Sequence, residues 1–402
     1  MQDAFIISAM RTPVGKYGGV LSQVRADDLL GFILKSVVEK SGIPKDRIDD
    51  VIIGCANQAG EDNRNVGRMG VLLAGLPVTT PATTINRLCG SALDAISMAC
   101  RTIKCGEADI MIAGGVEVMS RAPYVFPKNV SGKTLFGNLT AFDTALGWRF
   151  PNSKMEAMFP LEQMGETAEN VAEKWNISRE AQDEFALRSH KLASLAWDEG
   201  KYNDTVVNVE IPQIKGEPLI VKKDEGPRFD STIEKLSLLK PAFRKGGSVT
   251  AGNSSSLNDG AGAVVIVSEK ILIEYNLKPL LRYVSYGVAG LNPQIMGVGP
   301  VHATHNALKN AGLTINDIGL TELNEAFASQ SLAVIHDLEL DINRVNLLGG
   351  AISIGHPLGM SGARLISTLS SQMPINNVRY GLATMCVGVG QGISMIVENC
   401  QL

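Results

Sequence analysis

Aromatic side chains are scarce in this 402-residue sequence, at 5% of the total. That removes the stacking platforms on which single-stranded nucleic acid binds. Neither sign of charge dominates: 37 Lys and Arg stand against 41 Asp and Glu, a formal net charge of −4. A chain built to grip nucleic acid would carry a basic surplus, so that class of function is not expected, although a local basic patch can still hold a phosphorylated ligand. No run approaches the roughly 18 uncharged apolar residues of a membrane span, so no membrane role is expected either. Cysteine is sparse and unpatterned, at positions 55, 89, 100, 105, 386 and 400. Those spacings fit neither a disulfide framework nor a metal knuckle. Cys100 and Cys105 have no second pair, and His302 and His305 have no companion ligands nearby. Free thiols and no metal site are therefore expected. Met1-Gln2-Asp3 and the short apolar run after it lack the basic region and long apolar core of a secretion signal. Glu398-Asn399-Cys400-Gln401-Leu402 carries no prenylation or peroxisomal signal. The expected compartment is the cytoplasm.

What the sequence does have is glycine, 41 residues of it, and an internal repeat. Lys40-Ser41-Gly42-Ile43, leading to Val51-Ile52-Ile53-Gly54, is echoed by Asn310-Ala311-Gly312-Leu313, leading to Thr321-Glu322-Leu323-Asn324; the two glycines lie 270 positions apart. Leu88-Cys89-Gly90-Ser91 and Leu358-Gly359-Met360-Ser361 share that offset, as do the apolar runs at 109–113 and 379–383. Separated matches without a relative gap indicate duplication, the alternative being shared α/β patterning alone. Each copy reads helix, strand, loop, helix, strand. Helices are predicted over 33–41 and 303–311, ending at Gly42 and Gly312 as a glycine cap does. Buried strands are predicted at 51–53 and 110–113. The helix from Gly90 to about Lys104 is apolar except for a line of Asp94, Ser97, Arg101 and Lys104, so it should lie between layers. Residues 121–160 show little periodicity, 166–175 and 178–199 read as helices with Ser178 as N-cap, and 205–211 is a candidate strand. The expected division is a first core half of residues 1–120 with 251–272, an inserted unit of 121–250, and a second core half of 273–402.

If the halves are pseudo-symmetric, equivalent loops meet near the axis, and the informative positions are those where only one copy is reactive. Subtracting 270 sets Cys89 against Gly359, Asn86 against His356, Gly54 against Asn324 and Val116 against Cys386. Cys89, at the start of the buried helix, is either a small core residue or a thiol whose pKa the helix N-terminus lowers. His356, with Gly355 before it and Pro357 after, is expected in an exposed loop. Cys386 opens Cys386-Val387-Gly388-Val389-Gly390, either a strand irregularity or a thiol beside accessible main-chain N–H groups. Asn324 either caps the next helix or polarises a carbonyl. His190 is expected on the surface. Two thiols and one imidazole suit covalent acyl chemistry: one thiol attacks a carbonyl, His takes its proton, and the second thiol moves a proton.

These segments as a set, Asn86-Arg87-Leu88-Cys89-Gly90-Ser91, Asn324-Glu325-Ala326-Phe327, Gly355-His356-Pro357-Leu358-Gly359 and Cys386-Val387-Gly388-Val389-Gly390, resemble the thiolases, and the resemblance spans the chain. Ketoacyl synthases share the duplicated fold around Cys-His-His or Cys-His-Asn sites, so Cys386 favours thiolase. The resemblance implies an α/β thiolase fold, a duplicated five-layered α/β/α/β/α core with an inserted loop domain that binds coenzyme A. It implies that Cys89 is acylated, His356 activates it, and Cys386 is the acid and base. It further implies that Asn324 holds a water for the enolate, and that the Cys89 and Gly388 amides form a second oxyanion hole. Coenzyme A contacts carry over to Arg228, Phe243, Ala251 and Ser255, with Met164, Ala326 and Phe327 lining the acyl end; a guanidinium at Arg228 suits phosphate on its own chemistry.

The departures bear on substrate. Gln163 precedes Met164-Gly165 where acetoacetyl-forming thiolases usually carry His, and Ser256 stands where Gly is frequent. Residues 54–65 and Gly147-Trp148-Arg149-Phe150 are similar to β-ketoadipyl-CoA thiolases of aromatic-compound breakdown. Arg64 and Arg149 are candidate partners for a distal carboxylate, each alternatively structural. The expected reaction is thiolysis of a 3-oxoacyl-CoA by coenzyme A to acetyl-CoA and a shortened acyl-CoA, or the reverse Claisen condensation. Two alternatives stand beside it: a biosynthetic acetyl-CoA C-acetyltransferase and a non-catalytic acyl- or lipid-binding relative. No metal or redox cofactor is implied, coenzyme A being a substrate, and a homodimer or homotetramer is expected, with residues 121–150 bridging pairs.

Overall fold

The computed structural model describes residues 2–128 and 138–402. Part of the 121–150 segment expected to bridge subunits therefore lies outside the described residues.

Nine strands carry the core: β1 Ala4–Arg11, β2 Asp50–Gly54, β3 Ala82–Ile85, β4 Ile110–Val118, β5 Asn258–Ser268, β6 Leu281–Gly290, β7 Ile318–Leu323, β8 Tyr380–Val387 and β9 Gln391–Asn399. They hydrogen-bond in the order β7-β8-β9-β6-β1-β5-β4-β2-β3, with the short strand Gly15–Lys16 added to β5. The two halves mirror each other: β2 and β4 are parallel, as are β7 and β8, and the next partners in each half are antiparallel. The half-sheets join at the β1–β6 edge, where Phe5 pairs with Arg282 and Ile6 with Leu281. One continuous hydrogen-bonded path thus folds into two layers.

Helices fill the remaining layers: α1 Ala26–Ser41, α2 Val66–Leu73, α3 Ser91–Cys105, α4 Met164–Lys174, α5 Arg179–Asp198, α6 Gly299–Ala311, α7 Ala328–Asp337 and α8 Ser361–Ile375. α1 buries Leu29, Leu30, Ile33, Leu34, Val37 and Val38 against the outer face of the first half-sheet. The spacing i, i+1, i+4, i+5, i+8 puts them on one side. It stops at Gly42 with φ 72, as α6 stops at Gly312 with φ 67. Both helices begin earlier than the predicted 33 and 303, at Ala26 and Gly299. α3 and α8 form the middle layer. Leu93, Ile96 and Ile103 of α3 and Leu365, Ile366 and Leu369 of α8 share one core with residues of both half-sheets.

The inserted segment crosses to the other half. Val171 of α4 packs with Leu323 and Val334, and Phe185 and Ala186 of α5 pack with Ala328 and Ile352. Ser178 caps α5 by accepting the Ala181 N–H at 3.2 Å. The candidate strand at 205–211 is shorter than expected: only Val209–Ile211 pairs as a strand, and Val206 makes an isolated bridge to Arg11. Among the described residues no helix is long and apolar enough to cross a membrane, and no His/Cys/Asp/Glu cluster could hold a metal ion.

Candidate active site

Four segments from both halves converge at one end of the α3/α8 layer. Cys89 lies in a single 3₁₀ turn, Leu88–Gly90, which leads into α3. Leu88 is held at φ 48 by Asn86, whose Oδ1 accepts its N–H at 2.7 Å. A left-handed backbone at a leucine costs roughly 1–2 kcal/mol, so the turn is over-determined by its surroundings. Facing it, the β8–β9 hairpin turns at Gly388, with Val389 at φ 60 and Gly390 at φ 74. Val389, a β-branched residue at positive φ, is the second strained position. The two turns are in contact. A methyl on Gly90 would lie 2.9 Å from Val387 and 2.9 Å from Ile393, and one on Gly388 would lie 3.1 Å from Leu88.

The Gly388 amide favours the Cys89 thiolate, and Cys386 lies near enough to Cys89 for that charge to raise its own pKa. Cys89 retains partial exposure, whereas Cys386 is 1% exposed. Burial dominates both. It pushes Cys89 up to about 11, with the Gly388 and Cys89 amides pulling the other way, and Cys386 higher still. The expectation of a thiol lowered by a helix N-terminus is therefore corrected: the amides act as expected, but desolvation of a thiolate in this pocket outweighs them.

His356 is also corrected. It is 4% exposed, not in an exposed loop, because the turn at 355–360 is folded under α8 and the inserted segment. Ser361 donates its hydroxyl to the Pro357 carbonyl at 2.8 Å, so its oxygen accepts from His356 Nδ1 at 2.6 Å. Nδ1 then carries the proton and Nε2 the lone pair. Nε2 faces Asn324 Nδ2 at 3.3 Å, and Asn324 Oδ1 accepts from Arg364 Nη2 at 3.2 Å. Asn324 therefore does not cap α7; Arg364 orients its amide toward the imidazole. Burial first, and the Arg364 charge second, depress His356 to about 3, so the ring is neutral at physiological pH. Asn258 holds the backbone of the same loop, its Oδ1 accepting the His356 N–H at 2.9 Å. No hydrogen bond joins His356 to either sulfur among the described residues. Such contacts often tighten only when substrate is bound.

Ser361, Arg364 and Asn258 do not stand out in the sequence. One signal exists for Arg364: it is the one charge in the otherwise uncharged stretch 361–375. Its guanidinium is paired with Glu322 at 3.7 Å, both fully enclosed, and Glu322 is pushed up to about 8 by that burial.

An apolar wall adjoins the thiols. Cys386, Ala326, Phe327, Ala168, Val249 and Met296 form one cluster, with Met164 and Phe243 against it. Phe243 and Phe327 meet edge to face at 6.2 Å. Gly165 allows this, since a side chain there would run into the Phe243 ring. Ser255 is pinned beside the wall, its N–H donating to the Ala326 carbonyl at 2.9 Å, and Ala251 is exposed. Arg228 is exposed on a loop whose Gly226 packs against the Ser353 and Ile354 carbonyls. His190, expected on the surface, is 4% exposed and accepts the Arg228 N–H through Nδ1 at 3.2 Å. Its sequence environment is polar, but α5 is clamped between the insert and the second half, and burial depresses His190 to about 4.

Residues 4–270 match the family model described as Thiolase, N-terminal domain, and residues 277–399 match Thiolase, C-terminal domain. A β-ketoadipyl-CoA thiolase of Acinetobacter baylyi is 51% identical over 403 residues, covering 99% of this chain and 100% of that one. An Escherichia coli protein named 3-oxoadipyl-CoA/3-oxo-5,6-dehydrosuberyl-CoA thiolase is 51% identical over 402 residues, with the same coverage. The crystal structure of the Bacillus anthracis acetyl-CoA acetyltransferase superposes with a TM-score of 0.93 at 40% identity, covering 99% of both chains.

Proposed function

Because this chain belongs to the thiolase family, we propose that Cys89 is its acyl-accepting nucleophile, His356 the base that activates it, and Cys386 the acid and base at carbon and sulfur. The protein is an acyltransferase that cleaves a 3-oxoacyl-CoA with free coenzyme A to give acetyl-CoA and a shortened acyl-CoA. The observation that supports the assignment of roles is the pairing of Asn324 with a neutral, buried His356, and the influence of Cys89 on Cys386, which lies in the apolar cluster with Ala326 and Phe327, the residues that follow Asn324 in the chain.

The steps follow from that geometry. Cys89 sulfur attacks the 3-oxo carbon while its proton passes to the neutral imidazole of His356. The alkoxide sits at the Cys89 and Gly388 N–H groups. It collapses to the acyl thioester of Cys89, the bond between carbons 2 and 3 breaks, and the electron pair leaves as the enolate of acetyl-CoA. Asn324 and His356, with a water, stabilise the enolate oxygen. Cys386 gives its proton to the α-carbon and acetyl-CoA departs. The Cys386 thiolate takes the proton of incoming coenzyme A, whose sulfur displaces Cys89 and carries the acyl group away, and His356 returns its proton to the released Cys89 sulfur. Electrons and protons balance without a metal or redox group, coenzyme A entering as substrate.

Met164, Phe243, Ala326 and Phe327 would line the pantetheine and acyl channel, with Ala251 and Ser255 along it and Arg228 meeting phosphate at its mouth. Arg228→Ala is expected to raise KM for coenzyme A about 5- to 100-fold with kcat little changed, because the contact is made equally in ground and transition states. Steady-state titration of coenzyme A checks this; a fall in kcat at constant KM would remove Arg228 from that role.

For the acyl group we infer a dicarboxylic chain, 3-oxoadipyl-CoA. The names of the relatives support it, and so do two linked segments: Asn57 donates to Thr144 Oγ1 at 3.0 Å, and Arg149 donates to the Thr144 carbonyl at 3.4 Å. Arg149 is half-buried there, whereas Arg64 is exposed, which favours Arg149 as the cation for a distal carboxylate. Turnover of 3-oxoadipyl-CoA is expected to exceed that of acetoacetyl-CoA and 3-oxooctanoyl-CoA by at least about tenfold in kcat/KM, since a charged hydrogen bond in a closed site contributes about 1.5–3 kcal/mol. Equal turnover of all three would overturn the dicarboxylic reading, and a preference for acetoacetyl-CoA would favour the acetyltransferase alternative.

A further inference from the structure

The 270-residue repeat gives every residue of the site a counterpart, and most of those counterparts are chemically inert. Among those that are not is Glu117, the counterpart of Val387 beside Cys386. It is 3% exposed, near the end of β4. Its Oε2 accepts the Gly359 N–H at 2.9 Å and the Ala56 N–H at 2.9 Å, and its Oε1 accepts the Asn57 N–H at 3.1 Å. Gly359 is the counterpart of Cys89, and Ala56 and Asn57 are the counterparts of Ala326 and Phe327. The idle copy of the site thus holds a built-in carboxylate where the working copy aims main-chain N–H groups at its reactants.

Those three bonds reach both reactive groups. Gly359 closes the turn that carries His356, and the beginning of that turn is held by Asn258. The packing leaves no slack: a methyl on Gly359 would lie 2.8 Å from the Cys55 Cα, 2.8 Å from the Val116 carbonyl and 2.9 Å from Glu117. The second branch runs to the nucleophile. The Ala56 carbonyl accepts from Asn86 Nδ2 at 2.9 Å, and Asn86 Oδ1 accepts the N–H of Leu88, the strained residue before Cys89. We propose that the Glu117 carboxylate is a positioning residue that fixes the Cys89 turn relative to the His356 turn, and that protonating it loosens both.

The proposal rests on the reading of Cys89 as nucleophile and His356 as base. It predicts a pH dependence. Burial, with the like charge of Asp62 behind it, outweighs the three N–H groups and pushes Glu117 up to about 7. The loop at 55–62 presents Cys55, 3.8 Å away and held protonated by burial and by Glu117, together with Asp62 and Glu61. Arg121 lines the same small cavity and pairs with Glu61, as does Arg25. From the nucleophile turn, Cys89 registers the Glu117 charge weakly. With His356 depressed to about 3, the groups placed to titrate near neutrality are Glu117, which holds both turns, and Glu322, pushed up to about 8 beside Arg364; Glu117→Gln removes the first and leaves the second. The ionised form accepts all three N–H bonds, so activity is gained as pH rises through about 7 and lost as it falls.

The test is Glu117→Gln, followed by steady-state thiolysis and by acylation of Cys89 with acetyl-CoA, from about pH 6 to 9. Both rates are expected to fall about 10- to 100-fold, the effect of a displacement near 1 Å between reacting groups. KM for coenzyme A should change less than about threefold, and the acid limb near pH 7 should vanish. Asn86→Ala, an exposed substitution, cuts only the second branch; it should slow acylation while keeping the acid limb. Native rates with a native limb in Glu117→Gln would overturn the proposal, and so would slowed rates with the limb unmoved. If that variant fails to fold, a native enzyme with no acid limb near pH 7, or Asn86→Ala with native acylation, overturns it equally. Failure of the underlying reading looks different: the acyl group would appear on a residue other than Cys89.

Discussion

Cys89→Ala is expected to lower thiolysis by at least roughly 10⁴-fold, the scale on which removing a covalent nucleophile is felt. No other thiol can take its place. Cys386 is the nearest, but it is enclosed and held protonated by burial. Cys89→Ser should fail too, since a hydroxyl in the same pocket is a poorer nucleophile. Intact-protein mass spectrometry after incubation with acetyl-CoA should show one acetyl group on the native chain, mapped to Cys89, and none on either variant. Thiolysis by the alanine variant within about 100-fold of native would remove Cys89 from the reaction. The protonation states add a second expectation. With Cys89 at about 11 and His356 at about 3, the empty site is a neutral thiol beside a neutral imidazole. The thiolate fraction near pH 7.5 is roughly one part in 10³ to 10⁴. Proton transfer must then accompany attack, and alkylation of the empty enzyme by a neutral reagent should be slow and accelerate toward pH 11.

Local pattern carries the architecture well. Gly42 and Gly312 read as helix stops because a left-handed cap needs glycine whatever surrounds it, and both adopt it. The offset that aligns Cys89 with Gly359 and Asn324 with Gly54 also brings the reactive members to one place, since equivalent loops of a duplicated fold end at equivalent points about the axis. What escapes the sequence is burial imposed from far away. His356 reads as exposed because Gly355 and Pro357 mark a turn; nothing local says that the insert and α8 close over it. His190 reads as exposed because its neighbours on α5 are polar, and the surface that buries it lies in another half of the chain. The Cys89 thiol is misjudged for the same reason: helix amides are visible in the sequence, the desolvating pocket is not. Arg364 and Glu117 are invisible because a charge reads as surface until its partners are known. Arg364 is aligned with Asn324 across 40 positions, Glu117 with Gly359 across 242.

Cys386→Ala separates the two halves of the chemistry. Acylation of Cys89 from acetyl-CoA keeps His356 and the Cys89 and Gly388 amides and loses only the proton that Cys386 gives the departing coenzyme A sulfur, a leaving group that can depart as a thiolate, so transfer of an acetyl group from acetyl-CoA to Cys89 should persist. The next step has no proton carrier. An α-hydrogen of acetyl-CoA must leave before carbon can attack the acyl-enzyme, and in the cleavage direction the enolate must be reprotonated. In the structure the group beside Cys89 placed for either transfer is the Cys386 thiol, walled by Ala326, Phe327 and Met296 and out of contact with bulk water. Its raised pKa suits proton transfer at carbon. A thiol that holds its proton tightly becomes, once deprotonated, a base strong enough for a carbon acid, and the enolate is stabilised at the moment of transfer by Asn324 and His356. Condensation and thiolysis should therefore fall about 10²- to 10⁴-fold in Cys386→Ala while the yield of acetyl-Cys89 stays native. Exchange of deuterium from solvent into the methyl group of acetyl-CoA, followed by mass spectrometry, reports the carbon step alone. It should be lost in the variant and present in the native enzyme. Native exchange in Cys386→Ala would assign the proton transfer to His356 instead, and the imidazole would then have to serve both steps from one nitrogen.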